Sequence, residues 1–537
     1  MPDATDLNRS GEAGGPGDPK ARPPTVQVRA PKGTRDAYPE DVLRRRYITQ
    51  SWRDTAIRHG FEEIEGPTFE HADLYAVKSG EGILGELFQA YSGKDPGEVA
   101  SVQASGRAPY ALRPEFTPSL ARMYVAKYGK KADTPVTRWF TAGPYFRAER
   151  PQRGRLREFL QWNCDVIGTP EGEAFELTYD TEIFDVTVSM LSAAGLDPES
   201  VRLKCNSRRA LGDHMLRLGI GPDRHEGALG LIDASSKLSR EQFAARAREL
   251  ALPDAFIAQY GSSEGNLVIR LRDTAESVIG RYPSLAGERG KLDEALERSQ
   301  SRVGVPGTIE NRVHVFGLDE WYEFDSRVVR GLAYYTGTVF ELIADGERAV
   351  AGGGRYDKLI ELFGGAPTPA CGFGMGDVVL GLLLEDKGLM PEGPALMEAV
   401  SRAPASVRPE AFVVTPDESR DDDVIRAVAR LRRGVESERS EEEGAKAWDW
   451  GARYEPATGG VRPFHARRSD KATRNVGKLF KDALAQHART FVVLEPDGSA
   501  TIQDLDRKRK FEKLDVGEGM VRLPAMVASV LDGREPG

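Results

Sequence analysis

Apolar positions in the early part of the chain recur at helical spacing. Val42, Tyr47, Ile48, Trp52 and Ile57 punctuate a polar segment from Pro39 to His59, which predicts an amphipathic helix. A proline at its start suits the first turn, where an amide hydrogen would have no partner within the helix, and Gly60 ends it. From Phe61 to Gly66 the pattern shortens to alternation, predicting a strand closed by Pro67. Order is expected to begin near Pro31. The stretch up to about Arg29 is rich in Gly, Pro and Asp and lacks the apolar segment of a signal peptide, so it is expected to be a disordered tail.

Farther along, Arg138 to Gly168 predicts two strands, Trp139–Glu149 and Glu158–Ile167, joined by the basic loop Arg150–Arg157. The pattern from Val186 to Glu310 is mostly helical, with a short apolar entry at Val201–Cys205. Strand signals return at Val313–Phe316 and Thr338–Ile343, and a glycine-rich turn, Gly352–Gly354, leads into an apolar run ending in Gly376. Asp377 is expected as the N-terminal cap of a helix from Val378 to Leu384. Glu392–Pro409, rich in Pro, Ala and Arg, predicts a linker. Beyond it come a strand (Ala411–Val414), an amphipathic helix (Val424–Arg433), a charged Gly-rich stretch (Glu436–Pro463) expected to be a flexible insertion, a helix (Lys471–Ala488), a strand (Thr490–Leu494) and a turn at Asp497-Gly498. That alternation predicts a small C-terminal α/β unit.

At 537 residues the chain is long enough for two or three domains. Charged residues make up 29 % of it, yet the net charge is only −9, so bulk charge neither suggests nor excludes a nucleic-acid partner. The three cysteines, Cys164, Cys205 and Cys371, share no metal-ligand spacing, and free thiols with no metal site are expected. No run approaches the roughly 18–20 apolar residues needed to span a bilayer, so no membrane association and a cytoplasmic location are expected.

Candidate chemistry concentrates on the second strand of the basic hairpin. Alternate residues of a strand share a face. One face gathers Leu156, Leu160, Trp162, Cys164 and Val166, a core pattern; the other gathers Arg155, Arg157, Phe159, Gln161, Asn163 and Asp165. Arg147 and Glu149 share a face on the first strand, and the loop adds further guanidinium groups. Arginine forks match phosphate oxygens with paired hydrogen bonds, and a neighbouring ring gives a base something to stack on, so the hairpin suits a nucleoside polyphosphate. Alternate glycines in the Ala370–Gly376 strand strip side chains from one face, where a flat ligand can approach the backbone.

Phe146-Arg-Ala-Glu149, the basic loop and Phe159 resemble motif 2 of the class II aminoacyl-tRNA synthetases, and Phe146 to Gln161 as a whole resembles the histidyl-tRNA synthetase family. Pro31-Lys-Gly-Thr-Arg-Asp36, Leu112-Arg-Pro-Glu-Phe-Thr117, Val329-Arg-Gly-Leu-Ala-Tyr-Tyr-Thr-Gly-Thr-Val-Phe-Glu341 and Gly352-Gly-Gly-Arg-Tyr-Asp357 are similar to further signatures of that family, in family order. The resemblance covers about Pro31 to Leu384 and continues more weakly into the C-terminal unit. It implies an α+β fold, a class II antiparallel sheet flanked by helices: residues 30–390 as the catalytic domain with a helical insertion at about 200–310, residues 391–409 as linker, and residues 410–537 as an anticodon-binding α/β domain with its insertion at about 436–463. It implies ATP and L-histidine as substrates, Mg²⁺ with the ATP, tRNA(His) as acceptor, and a homodimer formed through the Pro39–Pro67 segment.

By the same resemblance Arg147 grips the α-phosphate, Glu149 reads the adenine amino group, Phe159 stacks on adenine, Arg155 approaches the outer phosphates, and Gly374 and Gly376 border the nucleotide. Glu115, Thr117 and Gln161 hold the histidine amino group, Asp165 and Tyr335 contact the imidazole, Tyr334 and Tyr356 line its pocket, and Arg330 sits between carboxylate and α-phosphate. One departure stands out. Where motif 3 continues Gly-x-Glu-Arg, this chain has Gly376-Asp377-Val378-Val379, so the arginine that meets ATP from the other side is replaced by Val379. Ala333, a frequent aspartate in the family, is a smaller difference. The valines keep a competing reading open, a non-ligating histidine-binding paralogue such as an ATP phosphoribosyltransferase regulatory subunit. Such relatives generally lack the C-terminal domain and erode the motif 2 loop, and this chain retains both.

Overall fold

The computed structural model describes residues 29–79, 87–129, 131, 134–168, 175–235, 238–261, 269–270, 274–281, 287, 289–290, 293, 296, 308–329, 334–344, 349–436 and 459–537. The expected N-terminal tail and most of the expected 436–463 insertion lie outside these residues. Among those described, nine strands form one sheet in the order Glu62–Glu63, Thr137–Phe146, Glu158–Ile167, Ala370–Gly376, Ala349–Arg355, Thr338–Ala344, Val201–Ser207, Tyr322–Phe324, Ile269–Arg270. The neighbouring pairs are antiparallel except the first pair and Val201–Ser207 with Tyr322–Phe324. The architecture is α+β, as expected.

The two faces of this sheet differ because the strand sequences alternate. Trp162, Cys164, Phe373, Met375, Phe340 and Leu342 point into one large core. Against them pack the helix Pro39–Arg58, whose Trp52 ring stacks 6.1 Å from Trp162, and the helix Phe175–Ala193, which buries Ile183, Phe184, Val188 and Leu191. That second helix is buried from Thr178 to Leu191, polar side chains included, so it lies in the centre of the molecule. The opposite face is left for polar residues and carries the site.

Several elements depart from the patterns predicted for them. Gly352–Gly354 is no turn but the middle of the strand Ala349–Arg355. Its glycines answer a packing demand: a β-carbon on Gly353 would stand 2.0 Å from the Gly372 carbonyl oxygen, and one on Gly354 2.4 Å from that of Thr338. Val313–Phe316 is not a strand, because Thr308 caps a helix, Ile309–Val315, through the Asn311 amide at 3.2 Å. So short an apolar run is ambiguous by periodicity alone. The apolar entry at Val201 is a full strand of the sheet, and the insertion's helices begin at Arg208. They pack around their own core, with Phe243 stacked 5.9 Å from Phe256. The expected linker opens as a helix, Gly393–Val400, which buries Leu396 in the main core.

The C-terminal unit is a three-layer α/β sandwich. Its sheet runs Ala466–Arg468, Ala411–Val414, Thr490–Leu494, Ala500–Asp504, Arg509–Leu514, the first three parallel and the rest antiparallel. Helices Asp421–Arg433 and Leu523–Leu531 cover one face through Val428, Leu431, Val527 and Val530, and Val476–Ala485 covers the other through Leu479 and Ala483.

A buried charge network joins this unit to the nine-stranded sheet and its central helix. Glu182, on the central helix, takes Arg138 at 3.1 Å and Arg432 at 3.2 Å. Arg138 also pairs with Asp470 at 2.8 Å, Arg433 with Asp185 at 2.6 Å, and Arg432 donates to the His59 carbonyl at 3.0 Å. Burial alone would raise the Glu182 carboxyl, but the guanidinium groups of Arg138, Arg432 and Arg468 prevail and hold it down at about 2.

Candidate active site

The polar face of the sheet is hollowed into a cavity of about 670 Å³. Its floor follows from strand register. Gln161, Asn163 and Asp165 alternate on one strand, and directly opposite them lie Gly376, Gly374 and Gly372 of the Ala370–Gly376 strand. The glycines make room for the polar side chains: a β-carbon on Gly372 would sit 2.1 Å from Asp165 Oδ1, and one on Gly374 2.9 Å from Gln161 Nε2. A β-carbon on Gly376 would meet nothing within 4 Å, so the cavity is open there.

At one end Asp165 is 3 % exposed and accepts a hydrogen bond from the Tyr356 hydroxyl. Burial first, and then the adjacent carboxylate, push the Tyr356 hydroxyl well above its ordinary pKa, so it stays protonated as the donor. Tyr334 meets Tyr356 edge-on at 5.9 Å and lies 4.5 Å from Tyr335, which makes an aromatic wall around the carboxylate. Gln161 donates to Asn163 at 2.8 Å. Glu115 and Thr117, at the start of the helix Thr117–Tyr128, close this end.

At the other end the guanidinium of Arg147 lies 5.1 Å over the Phe159 ring, which in turn stacks 6.2 Å from Tyr145. A bond from Arg147 Nε to the Pro114 carbonyl, 3.1 Å, sets its direction. Arg155 reaches the cavity from a tight turn closed by mutual backbone bonds between Gln152 and Arg155, with Gly154 at φ +74°. A positive φ is what glycine supplies at no steric cost. Glu149 does not line the cavity: its carboxylate is paired with Arg155 and lies 3.9 Å from Arg147. The two arginines are 38 % and 43 % exposed, accessible to a ligand.

The structure thus brings together Arg147, Arg155, Phe159, Gly374 and Gly376 at one end and the expected histidine-site residues at the other; Arg330, with Ala333, lies outside the described residues. Asn163, Glu341 and Asp233 also line the cavity. The first two follow strand alternation in segments already marked by motif, whereas Asp233 comes from the insertion helix Pro222–Ala234 and nothing in its local pattern signals it. Val378 and Val379 form an apolar patch of the wall. Asp377 does not cap the helix that follows it: Gly376 is the capping residue and Asp377 the first helical one. Its buried carboxylate instead accepts from the Leu160 amide at 2.8 Å and from Arg35.

Residues 33–376 match the family model described as histidyl-tRNA synthetase. A histidine–tRNA ligase of chloroplasts and mitochondria from Arabidopsis thaliana is 34 % identical over 68 % of this chain and 68 % of its own. The histidine–tRNA ligase of Pyrococcus abyssi is 34 % identical over 76 % of this chain and 84 % of its own. Among solved structures, a histidine–tRNA ligase subunit from Alicyclobacillus acidocaldarius superposes with a TM-score of 0.50 at 23 % identity, over 68 % of this chain and 99 % of that one, a likeness of fold. The hairpin, the glycine-floored cavity and these matches agree: the chain belongs to the histidyl-tRNA synthetase family, among the aminoacyl-tRNA synthetases.

Proposed function

We propose that this chain condenses L-histidine with ATP to histidyl-adenylate and pyrophosphate, then transfers the histidyl group to the 3′-terminal adenosine of tRNA(His). The observation that carries this reading is the pairing of a buried Asp165–Tyr356 acceptor site with an arginine-flanked aromatic platform across one strand register. A buried carboxylate discriminates by what it loses: an analogue without the imidazole N–H leaves it desolvated and short of one donor beyond Tyr356. Glu115, Thr117 and Gln161 border the same end and are assigned to the α-amino group. Phe159 is assigned to the adenine ring, Glu149 to its amino group, Arg155 to the outer phosphates, and Arg147, with Arg330, to the charge that develops as carboxylate attacks α-phosphorus.

Mg²⁺ is assigned to the triphosphate. The triphosphate carries more negative charge than the arginines offset, and an ion on its phosphate oxygens supplies the balance. The C-terminal α/β unit is assigned to the anticodon region and the Pro39–Pro67 segment to a homodimer contact. No helix among the described residues is long and apolar enough to cross a membrane, and the proposed site of action is the cytoplasm. Histidine-dependent exchange of pyrophosphate into ATP tests the reading directly. Robust exchange by the purified full chain is expected; its absence, with histidine still bound, would favour the non-ligating alternative.

A further inference from the structure

The departure at motif 3 leaves an unabsorbed feature: a buried aspartate beside two valines. Asp377 follows the last residue of the Ala370–Gly376 strand, and that strand's final pair with the motif 2 strand is Gly376–Gln161. The next residue of the motif 2 strand, Leu160, therefore has an amide beyond the end of the ladder, with no backbone carbonyl to receive it on that side. Asp377 Oδ1 takes it at 2.8 Å, and Asp377 Oδ2 takes Arg35. A buried amide without a partner is costly, and the carboxylate continues the ladder by one bond. Leu160 stands between Phe159 and Gln161, so this bond fixes the backbone that carries the aromatic platform on one side and a polar floor residue on the other.

Arg35 belongs to a segment that grips the same strand a second time. The Arg157 amide donates to the Gly33 carbonyl at 2.7 Å, and Arg157 also hands Nε to the Glu149 carbonyl at 3.1 Å. Gly33 takes φ +88°, and a β-carbon there would press to 2.7 Å on Pro151 and 2.8 Å on Arg157, so this segment lies flat on the base of the motif 2 loop.

We propose that the Gly33–Arg35 segment and Asp377 form a strap across the motif 2 strand, positioning Phe159 and the loop arginines for ATP from behind. The helix that supplies an arginine to ATP in the family pattern here offers two valines to the cavity wall, and its charged residue, Asp377, acts through the strand. Asp377 and Arg35 are positioning residues; neither lines the cavity. The inference rests on the assignment of Phe159 and Arg147 to ATP.

Full-length Asp377→Ala, Asp377→Asn and Arg35→Ala proteins separate the strap from a merely structural role. ATP binding by titration calorimetry, with KM for ATP and for histidine in pyrophosphate exchange, supplies the readout. Asp377→Ala is expected to raise the ATP dissociation constant and KM about tenfold while leaving the histidine KM within about twofold. Asp377→Asn keeps an acceptor for the Leu160 amide and should recover most of that loss. Arg35→Ala should be milder, because Arg45 lines the same cleft beside Asp377. Unchanged ATP affinity in Asp377→Ala, equal losses for both substrates, or no recovery in Asp377→Asn would each overturn the strap. Failure of the unmutated protein to exchange pyrophosphate would sink the ligase reading instead, and the ATP titration would still decide the strap.

Discussion

The cavity and the seam between the two units are built from the same residue types and do opposite things with them. In the seam, Arg138 and Arg432 are 13 % and 4 % exposed and meet Glu182, itself buried, or the partly buried Asp470. In the cavity, Arg147 and Arg155 are more than a third exposed and share Glu149 between them. The difference is one of pairing and water. A buried, paired guanidinium has given up its hydration and holds architecture; an accessible one beside an aromatic ring is free to exchange its partner for an anionic ligand. Residue identity alone does not separate the two classes.

The comparison breaks most severely if Glu182 is removed. Glu182→Ala takes from Arg432 and Arg468 the buried carboxylate they share and leaves Arg138 with Asp470 alone, and breaking such a pair costs about 3–5 kcal/mol. A large drop in the thermal midpoint is expected, and a drop no greater than that of an exposed substitution would remove the seam's architectural role.

On the cavity side the effect should move from stability to rate. Arg147→Ala is expected to lower histidine-dependent pyrophosphate exchange about 10²–10³-fold, with a thermal midpoint near that of the unmutated chain. Arg330→Ala should abolish adenylation while histidine binding stays measurable. Adenylation at the normal rate in either variant would take that arginine out of its proposed role. Asp165→Ala comes next: histidine KM should rise about 10²-fold with ATP KM little changed, and an unmoved histidine KM would place imidazole recognition elsewhere.

How far each region could be read from the sequence follows from the distance over which its contacts act. The Glu158–Ile167 strand forms with the bounds its alternation predicts, and the polar face that alternation defines is the cavity floor. Strand periodicity and loop composition are local, so they show in the sequence. Glycine marks both turns and close approach of backbones, so at Gly352–Gly354 only the neighbouring strand reveals which applies. Capping is the local use of an aspartate before a helix, but the partners of Asp377 are Leu160 and Arg35, remote in sequence. The seam is not legible in the sequence, because Arg138, Glu182, Arg432 and Asp470 are remote from one another and only the packing of the C-terminal unit onto the central helix brings them together.

The smallest expected effect sharpens the comparison by pH. His465 is buried in the seam, with Nδ1 2.9 Å from the Ser406 carbonyl and Nε2 receiving Arg467 Nε at 3.0 Å, an arrangement that suits the neutral ring. Burial and then the Arg467 charge depress its pKa from 6.5 to about 3. The unfolded chain takes up a proton below pH 6.5 while the folded chain does not, so stability falls as pH drops from about 6.5 toward 3, by at most ~1.4 kcal/mol per pH unit for one site. Glu182, held down at about 2, adds to the loss only below its ordinary value of 4.5. His59, buried beside Asp185 in the same seam, is lowered too, by burial above all, so between pH 6.5 and 5 the two histidines share the seam's slope. His465→Gln retains a donor and an acceptor but does not titrate, so its thermal midpoint should decline less over that interval. An identical decline in both proteins would mean that the acid sensitivity of this chain does not arise at His465, and that a buried histidine can belong to a charge network without being its pH-sensitive joint.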